Sequence, residues 1–213
     1  MRIERSRDAL LVVDLQHDFL PGGALAVQEG DEVVAPIARL APAFETVVAT
    51  QDFHPSGHVS FASAHPDKKP FESIALPFAR QELWPDHCVQ GTQGAHLHPG
   101  LPDRAITLLL RKGTRRDLDS YSAFRENVDR EGKRPTTGLA AWLDARGLRR
   151  VFVCGLARDF CVRWSALDAA AAGFETYVLD DLTRAVFPDR SAEVDAAFAS
   201  AGVKVMRGRD IDA

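Results

Sequence analysis

The chain has 213 residues, 46% of them hydrophobic and 26% charged, with a formal net charge of −4. That length and composition suit a single α/β domain, residues 1–213, and leave no room for a long disordered tail. The acidic balance argues against a nucleic-acid or anionic-membrane partner, since both need dense basic charge against phosphate; a small neutral or weakly charged molecule fits better.

Taken in chain order, Ala9–Asp14 is a short apolar run closing on an acid, the pattern of a buried parallel strand. Similar runs fall at Thr46–Thr50, Ala105–Leu110, Arg150–Cys154, Glu175–Leu179 and Val203–Met206. Between several of them the spacing predicts helices over Glu32–Phe44, Thr137–Arg146, Phe160–Ala172 and Ser191–Ala201. Gly147, Gly173 and Gly202 follow three of these helices where a left-handed cap is wanted. Strands alternating with helices predict a doubly wound, mostly parallel sheet of about six strands with helices on both faces. The stretch from Phe53 to Asp103 breaks this rhythm with Pro, His and Gly, and so long a loop in a compact domain is usually functional.

No stretch approaches the roughly 20 apolar residues that span a bilayer, and polar residues precede the first apolar run. Cys88, Cys154 and Cys161 are too few and too unevenly spaced for a disulfide framework. A cytoplasmic protein with free thiols is the expectation.

In sheets of this class ligands sit outside the carboxyl ends of the strands. Asp14 ends the first predicted strand, Asp52 follows the second, Lys112 follows the third, and Cys161 follows the fourth across Gly155-Leu156-Ala157. Each alone has an ordinary reading: a turn carboxylate, a loop acid, a surface lysine, a small core residue. Four reactive groups at four consecutive strand ends are harder to dismiss. Cys161 lies near a helix start with Asp159 as the expected cap, where the helix dipole would favour the thiolate. Asp14 could take the thiol proton and deliver it to a leaving amine, with Lys112 holding the carboxylate charged. Asp52 and His54, two residues apart, can point to one side of an extended chain, and His58 and His87 follow in the irregular segment. A carboxylate with imidazoles is a divalent-metal set, for zinc, iron or manganese. His17, His65, His96 and His98 read as surface residues, and Cys154 as a core residue.

Five segments occur in a fixed order: Val13-Asp14-Leu15-Gln16-His17-Asp18-Phe19, Ala49-Thr50-Gln51-Asp52-Phe53-His54-Pro55, Trp84-Pro85-Asp86-His87-Cys88-Val89-Gln90-Gly91-Thr92, Lys112-Gly113-Thr114 and Gly155-Leu156-Ala157-Arg158-Asp159-Phe160-Cys161-Val162. Together they resemble the successive motifs of nicotinamidases, also called pyrazinamidases, in the isochorismatase-like hydrolase superfamily. The resemblance implies hydrolysis of nicotinamide to nicotinate and ammonia in NAD salvage, through a cysteine thioester, in a monomer or homo-oligomer. It places Asp14, Lys112 and Cys161 on the catalytic triad and Asp52, His54 and His87 on the metal ligands, zinc first, with His58 as a further candidate. It also implies that Phe19, Trp84 and Tyr121 line the pyridine pocket. The amides of Ala157 and Cys161 would face the oxyanion, after a cis peptide preceding Ala157, and residues 53–103 would build the metal site and pocket. Arg158 departs from the family's usual Thr, and its charge would either touch the pocket entrance or point to solvent. Three rivals stand beside this reading: a carbamoyl-type amidase or an isochorismatase of the same superfamily, relatives that lack this metal site; a metal-hydroxide hydrolase in which Cys161 is structural; and a non-catalytic metabolite-binding or redox-sensing protein that keeps the fold.

Overall fold

Consecutive apolar residues make β1 (Asp8–Val13) a strand buried on both faces, as a central parallel strand must be. In this computed structural model, which describes residues 1–212, β1 is followed by α1 (Val34–Leu40) and β2 (Thr46–Asp52). A small hairpin, β3 (Ser73–Ala75) with β4 (Arg80–Glu82), precedes β5 (Leu108–Lys112), α2 (Leu139–Asp144) and β6 (Arg150–Leu156). The chain closes with α3 (Arg163–Ala171), β7 (Glu175–Arg184), α4 (Ser191–Ser200) and β8 (Lys204–Met206).

Six strands form one sheet in the order β5-β2-β1-β6-β7-β8, every neighbouring pair parallel. The chain winds outward from β1 to β5, then crosses back to β6 on the other side of β1. The expected doubly wound sheet is therefore present, and β1 and β6 flank the crevice where connections leave in opposite directions. Alternation along β1 decides which layer each side chain joins. Leu10 and Val12 pack with Ile37, Leu40 and Phe152 on one face, while Ala9, Leu11 and Val13 pack with Leu139, Leu143, Ala166 and Phe198 on the other.

Several boundaries differ from expectation for local reasons. β5 begins at Leu108 because Asp103–Ala105 forms a 3₁₀ turn, and β7 runs on to Arg184. The first helix is α-helical only over Val34–Leu40 and tightens to a 3₁₀ turn at Ala41–Ala43, where Pro42 has no amide to extend the ladder. The helix expected from Phe160 begins as a π turn, Arg158–Val162, and becomes α-helical only at Arg163. Gly147 does take the left-handed conformation, with φ 72°, just past α2.

Residues 53–103 are fastened to the sheet rather than loose. His54 bridges Val89, Phe61 bridges Trp84, and Gln16 bridges Leu97. The Gln16 side chain donates to the carbonyls of Asp52 and Ala95 at 2.8 and 2.9 Å and accepts from the Asp52 amide at 2.8 Å, which pins this segment over the ends of β1 and β2. No helix among the described residues is long and apolar enough to cross a membrane.

Candidate active site

The carboxyl ends of β1, β2 and β5 present Asp14, Asp52 and Lys112 side by side, and the turn after β6 brings Cys161 against them. Gly155 makes that approach possible. Its φ is 106°, and a Cβ there would stand 2.1 Å from the Val13 carbonyl oxygen, so only glycine lets β6 pass β1 this closely.

Lys112 is fully buried at its side chain and touches every member of the group. Its Nζ lies 2.7 Å from Asp14 Oδ2, 3.3 Å from Cys161 Sγ and 3.3 Å from the Ser120 carbonyl oxygen, and it also donates to Asp52 Oδ1. Asp14 follows β1 with a left-handed φ of 46°, a costly backbone for aspartate that the Thr50 hydroxyl stabilises. That hydroxyl accepts from the Asp14 amide at 3.1 Å and donates to Asp14 Oδ1 at 2.7 Å. Asp14 Oδ2 is buried and meets only the Lys112 ammonium, at 2.7 Å. The Asp14 carboxylate and the Cys161 sulfur offer atoms within 4.8 Å of each other, with Lys112 bridging them.

Burial separates the two carboxylates that share Lys112. It raises Asp14 to about 6, against the opposing pull of Lys112 and with help from the Asp52 charge. Burial acts on Asp52 in the same direction, but Lys112 and His54 outweigh it and hold that carboxyl well below the usual range. The Cys161 thiol departs from expectation. Burial pushes it well above its ordinary value, more than Lys112 can offset. The helix dipole does not rescue it, because α3 proper starts two residues later. The resting group is a thiol that needs a base.

Asp159 is not a helix cap. Its carboxylate accepts instead from the Val186 and Phe187 amides, at 2.9 and 2.8 Å, and so fixes the segment carrying Val186 into the cavity wall. The Leu156-Ala157 peptide is cis, as the resemblance implied. The Ala157 carbonyl accepts from the Phe160 and Val162 amides at 3.1 Å each, passing over the Cys161 amide between them.

The cavity is narrow and is walled by Phe19, Trp84 and Tyr121, the three aromatics the resemblance named. Trp84 Nε1 donates to the Tyr121 hydroxyl at 3.2 Å. Phe160 stands edge-on to Trp84 with centroids 4.7 Å apart and completes the aromatic wall. Sequence reasoning passed over Phe160, Val186 and Asp119 as lining residues. For Phe160 the signal was its place beside Cys161, and for Asp119 an acid two residues before Tyr121.

Asp52, His54 and His87 offer ligand atoms within 4.8 Å of one another at the cavity floor. Two carbonyls set the imidazole tautomers. His54 Nδ1 donates to the Gly113 oxygen at 2.9 Å and His87 Nδ1 to the Pro85 oxygen at 2.8 Å. Both Nε2 lone pairs therefore face Asp52 Oδ2, at 3.6 and 4.0 Å, the outer-shell arrangement that prepares histidine for metal. Burial and the neighbouring His54 push His87 down to about 4, which keeps its Nε2 unprotonated. The donor set fits a divalent cation. His58 sits differently: its ring lies against that of His54, and its Nδ1 and Nε2 meet the Ser60 hydroxyl at 2.8 Å and the Leu118 carbonyl at 3.2 Å. His17, His65, His96 and His98 lie outside the cavity wall.

Arg158 points away from the pocket. It reaches Asp180 at 2.8 Å and Asp195 at 2.7 Å, on the side of β7 and α4. Neither alternative raised from the sequence holds, because two half-exposed carboxylates hold a guanidinium that is itself nearly buried.

The Isochorismatase domain model matches residues 8–210. A nicotinamidase of Acinetobacter baylyi is 47% identical over 206 residues, covering 95% of this chain and 94% of the relative. Among solved structures, a nicotinamidase/pyrazinamidase of Acinetobacter baumanii superposes with a TM-score of 0.92 at 42% identity, covering 98% of this chain and 99% of that one. A pyrazinamidase of Pyrococcus horikoshii in complex with zinc has a TM-score of 0.76 at 35% identity, covering 94% and 99%. With the sheet, the strand-end cluster and these likenesses in agreement across nearly its whole length, the chain belongs to the isochorismatase domain family.

Proposed function

We propose that the protein is an amidase that hydrolyses nicotinamide to nicotinate and ammonia through a thioester on Cys161, a step of pyridine-nucleotide salvage. The carrying observation is a buried carboxylate, Asp14, within 4.8 Å of a thiol that burial keeps protonated, with the Lys112 ammonium touching both. The names of the relatives and the aromatic cavity support nicotinamide as the substrate.

The pyridine ring lies between Phe19, Trp84 and Tyr121. Asp14 takes the Cys161 proton, and the sulfur attacks the carboxamide carbon. Lys112 stays charged throughout and stabilises first the carboxylate, then the thiolate. The Ala157 and Cys161 amides receive the oxyanion, at a gain of roughly 3–4 kcal/mol per well-placed donor. Asp14 returns its proton to the nitrogen as the C–N bond breaks and ammonia leaves. Water, deprotonated by the same carboxylate, then cleaves the thioester to nicotinate and restores the thiol. Asp52, His54 and His87 would hold a divalent cation, zinc first and iron or manganese otherwise, which supplies an anchor for the pyridine nitrogen, directly or through water. The zinc complex of the Pyrococcus horikoshii relative supports that order.

Ammonia release over a panel of nicotinamide, pyrazinamide, benzamide and an N-carbamoyl amino acid tests this reading. Nicotinamide is expected to turn over, pyrazinamide with it, and benzamide poorly for want of a ring nitrogen. Preference for the carbamoyl substrate would move the protein to the rival amidase class.

A further inference from the structure

Asp119 is an acidic side chain of the cavity that the amidase chemistry leaves without a task. It is 3% exposed and stands in the wall with Asp52, His54 and His87. Its Oδ1 accepts from the Ser120 amide at 2.8 Å and its Oδ2 from Gln81 Nε2 at 2.8 Å. No lysine or arginine pairs with it among the described residues, whereas Asp14 and Asp52 share Lys112. A buried acid needs partners for its oxygens, and a cation held by Asp52, His54 and His87 would stand in the same cavity.

The neighbouring imidazoles do not fill that role by hydrogen bonding. One Asp119 oxygen lies within 4.8 Å of ligand nitrogens on His54 and His58. Yet His54 Nδ1 is spent on Gly113, and both His58 nitrogens are spent on Ser60 and Leu118. Asp119 thus reaches the same histidine, His54, that stands with Asp52 and His87 in the metal-ligand group.

We infer that Asp119 is a third anionic member of the metal centre, acting on the cation or on one of its bound waters, and that Gln81 is the strut that aims it. The inference rests on the metal-centre reading of Asp52, His54 and His87. Gln81 belongs to β4, and its amide also donates to the Glu82 carbonyl at 2.8 Å, so both its protons are committed and its orientation is fixed. The β3–β4 hairpin, which contributes nothing to the main sheet, thereby gains a role: it positions a carboxylate 38 residues away in the chain.

The test is zinc affinity. Chelator-stripped wild type, Asp119→Asn, Gln81→Met and Asp52→Asn are titrated with zinc against a fluorescent competitor, and each is melted with and without zinc. Asp119→Asn is expected to bind zinc about 10–100-fold more weakly, the usual loss when an outer-shell partner is removed. Its zinc-free form is expected to melt somewhat lower than wild type, because one buried acceptor becomes an NH2 facing the Ser120 amide or Gln81 Nε2. Gln81→Met should weaken zinc by a smaller factor, and it serves as the readout if Asp119→Asn does not fold. Zinc affinity within twofold of wild type in Asp119→Asn overturns the inference, whatever its zinc-free melting temperature. If Asp52→Asn also binds like wild type, the metal-centre reading itself has failed.

Discussion

Thr50→Val gives a sharp test of Asp14 as the proton acceptor, because one hydroxyl holds both ends of that residue. The substitution keeps a β-branched side chain in β2 and deletes the bond of 2.7 Å that Thr50 donates to Asp14 Oδ1. A hydrogen bond to a charged group is worth about 1.5–3 kcal/mol, and each pKa unit corresponds to about 1.4 kcal/mol, so Asp14 should rise by roughly 1–2 units. The starting value is about 6. The ionised form is the active one and accumulates above that value, so activity is lost as pH falls through it. At pH 7 the wild type is then roughly nine-tenths ionised and the variant only about one half to one tenth, a fall of about 2–10-fold in kcat/KM. The loss should vanish near pH 9. A cation at Asp52 lowers both acid limbs together, so their separation is the diagnostic. The assay is ammonia release from pH 4 to 9 with wild type, Thr50→Val and Thr50→Ser, the serine restoring the wild-type limb. Coincident limbs for wild type and Thr50→Val would refute Asp14 as the titrating base.

Three further outcomes are expected. Cys161→Ala should lose amidase activity while keeping its fold and its metal, and more than a few per cent of residual turnover would favour the rival in which bound hydroxide attacks. Gly113→Ala should lose metal and melt at lower temperature, since φ there is 63° and the new Cβ would stand 2.3 Å from His54 Cε1; elemental analysis showing full metal content would contradict this. Arg158→Thr should leave KM for nicotinamide within about twofold and lower stability by roughly 1–3 kcal/mol, because the side chain binds Asp180 and Asp195 rather than the pocket; a large change in KM would place Arg158 at the substrate after all.

Much of this protein is legible one dimension at a time. Short apolar runs bounded by glycine and acid are a local consequence of strands buried on both faces, so the six strands, their parallel pairing and the reactive residues at their ends follow from the order of residues alone. The same holds for Asp52, His54 and His87, whose residue types declare their chemistry wherever the chain places them. The tertiary structure decided what depends on neighbours distant in sequence and on the absence of water. Gln81 and Asp119, like Thr50 and Asp14, are paired across more than 30 residues by the sheet and hairpin. Arg158 turned from the pocket because Asp180 and Asp195 accept its guanidinium N–H groups, and Asp159 left its expected cap for two amides on a following loop. The Cys161 thiol rose rather than fell because desolvation depends on how completely three strand ends and a turn close around it, and no local stretch of sequence encodes that enclosure.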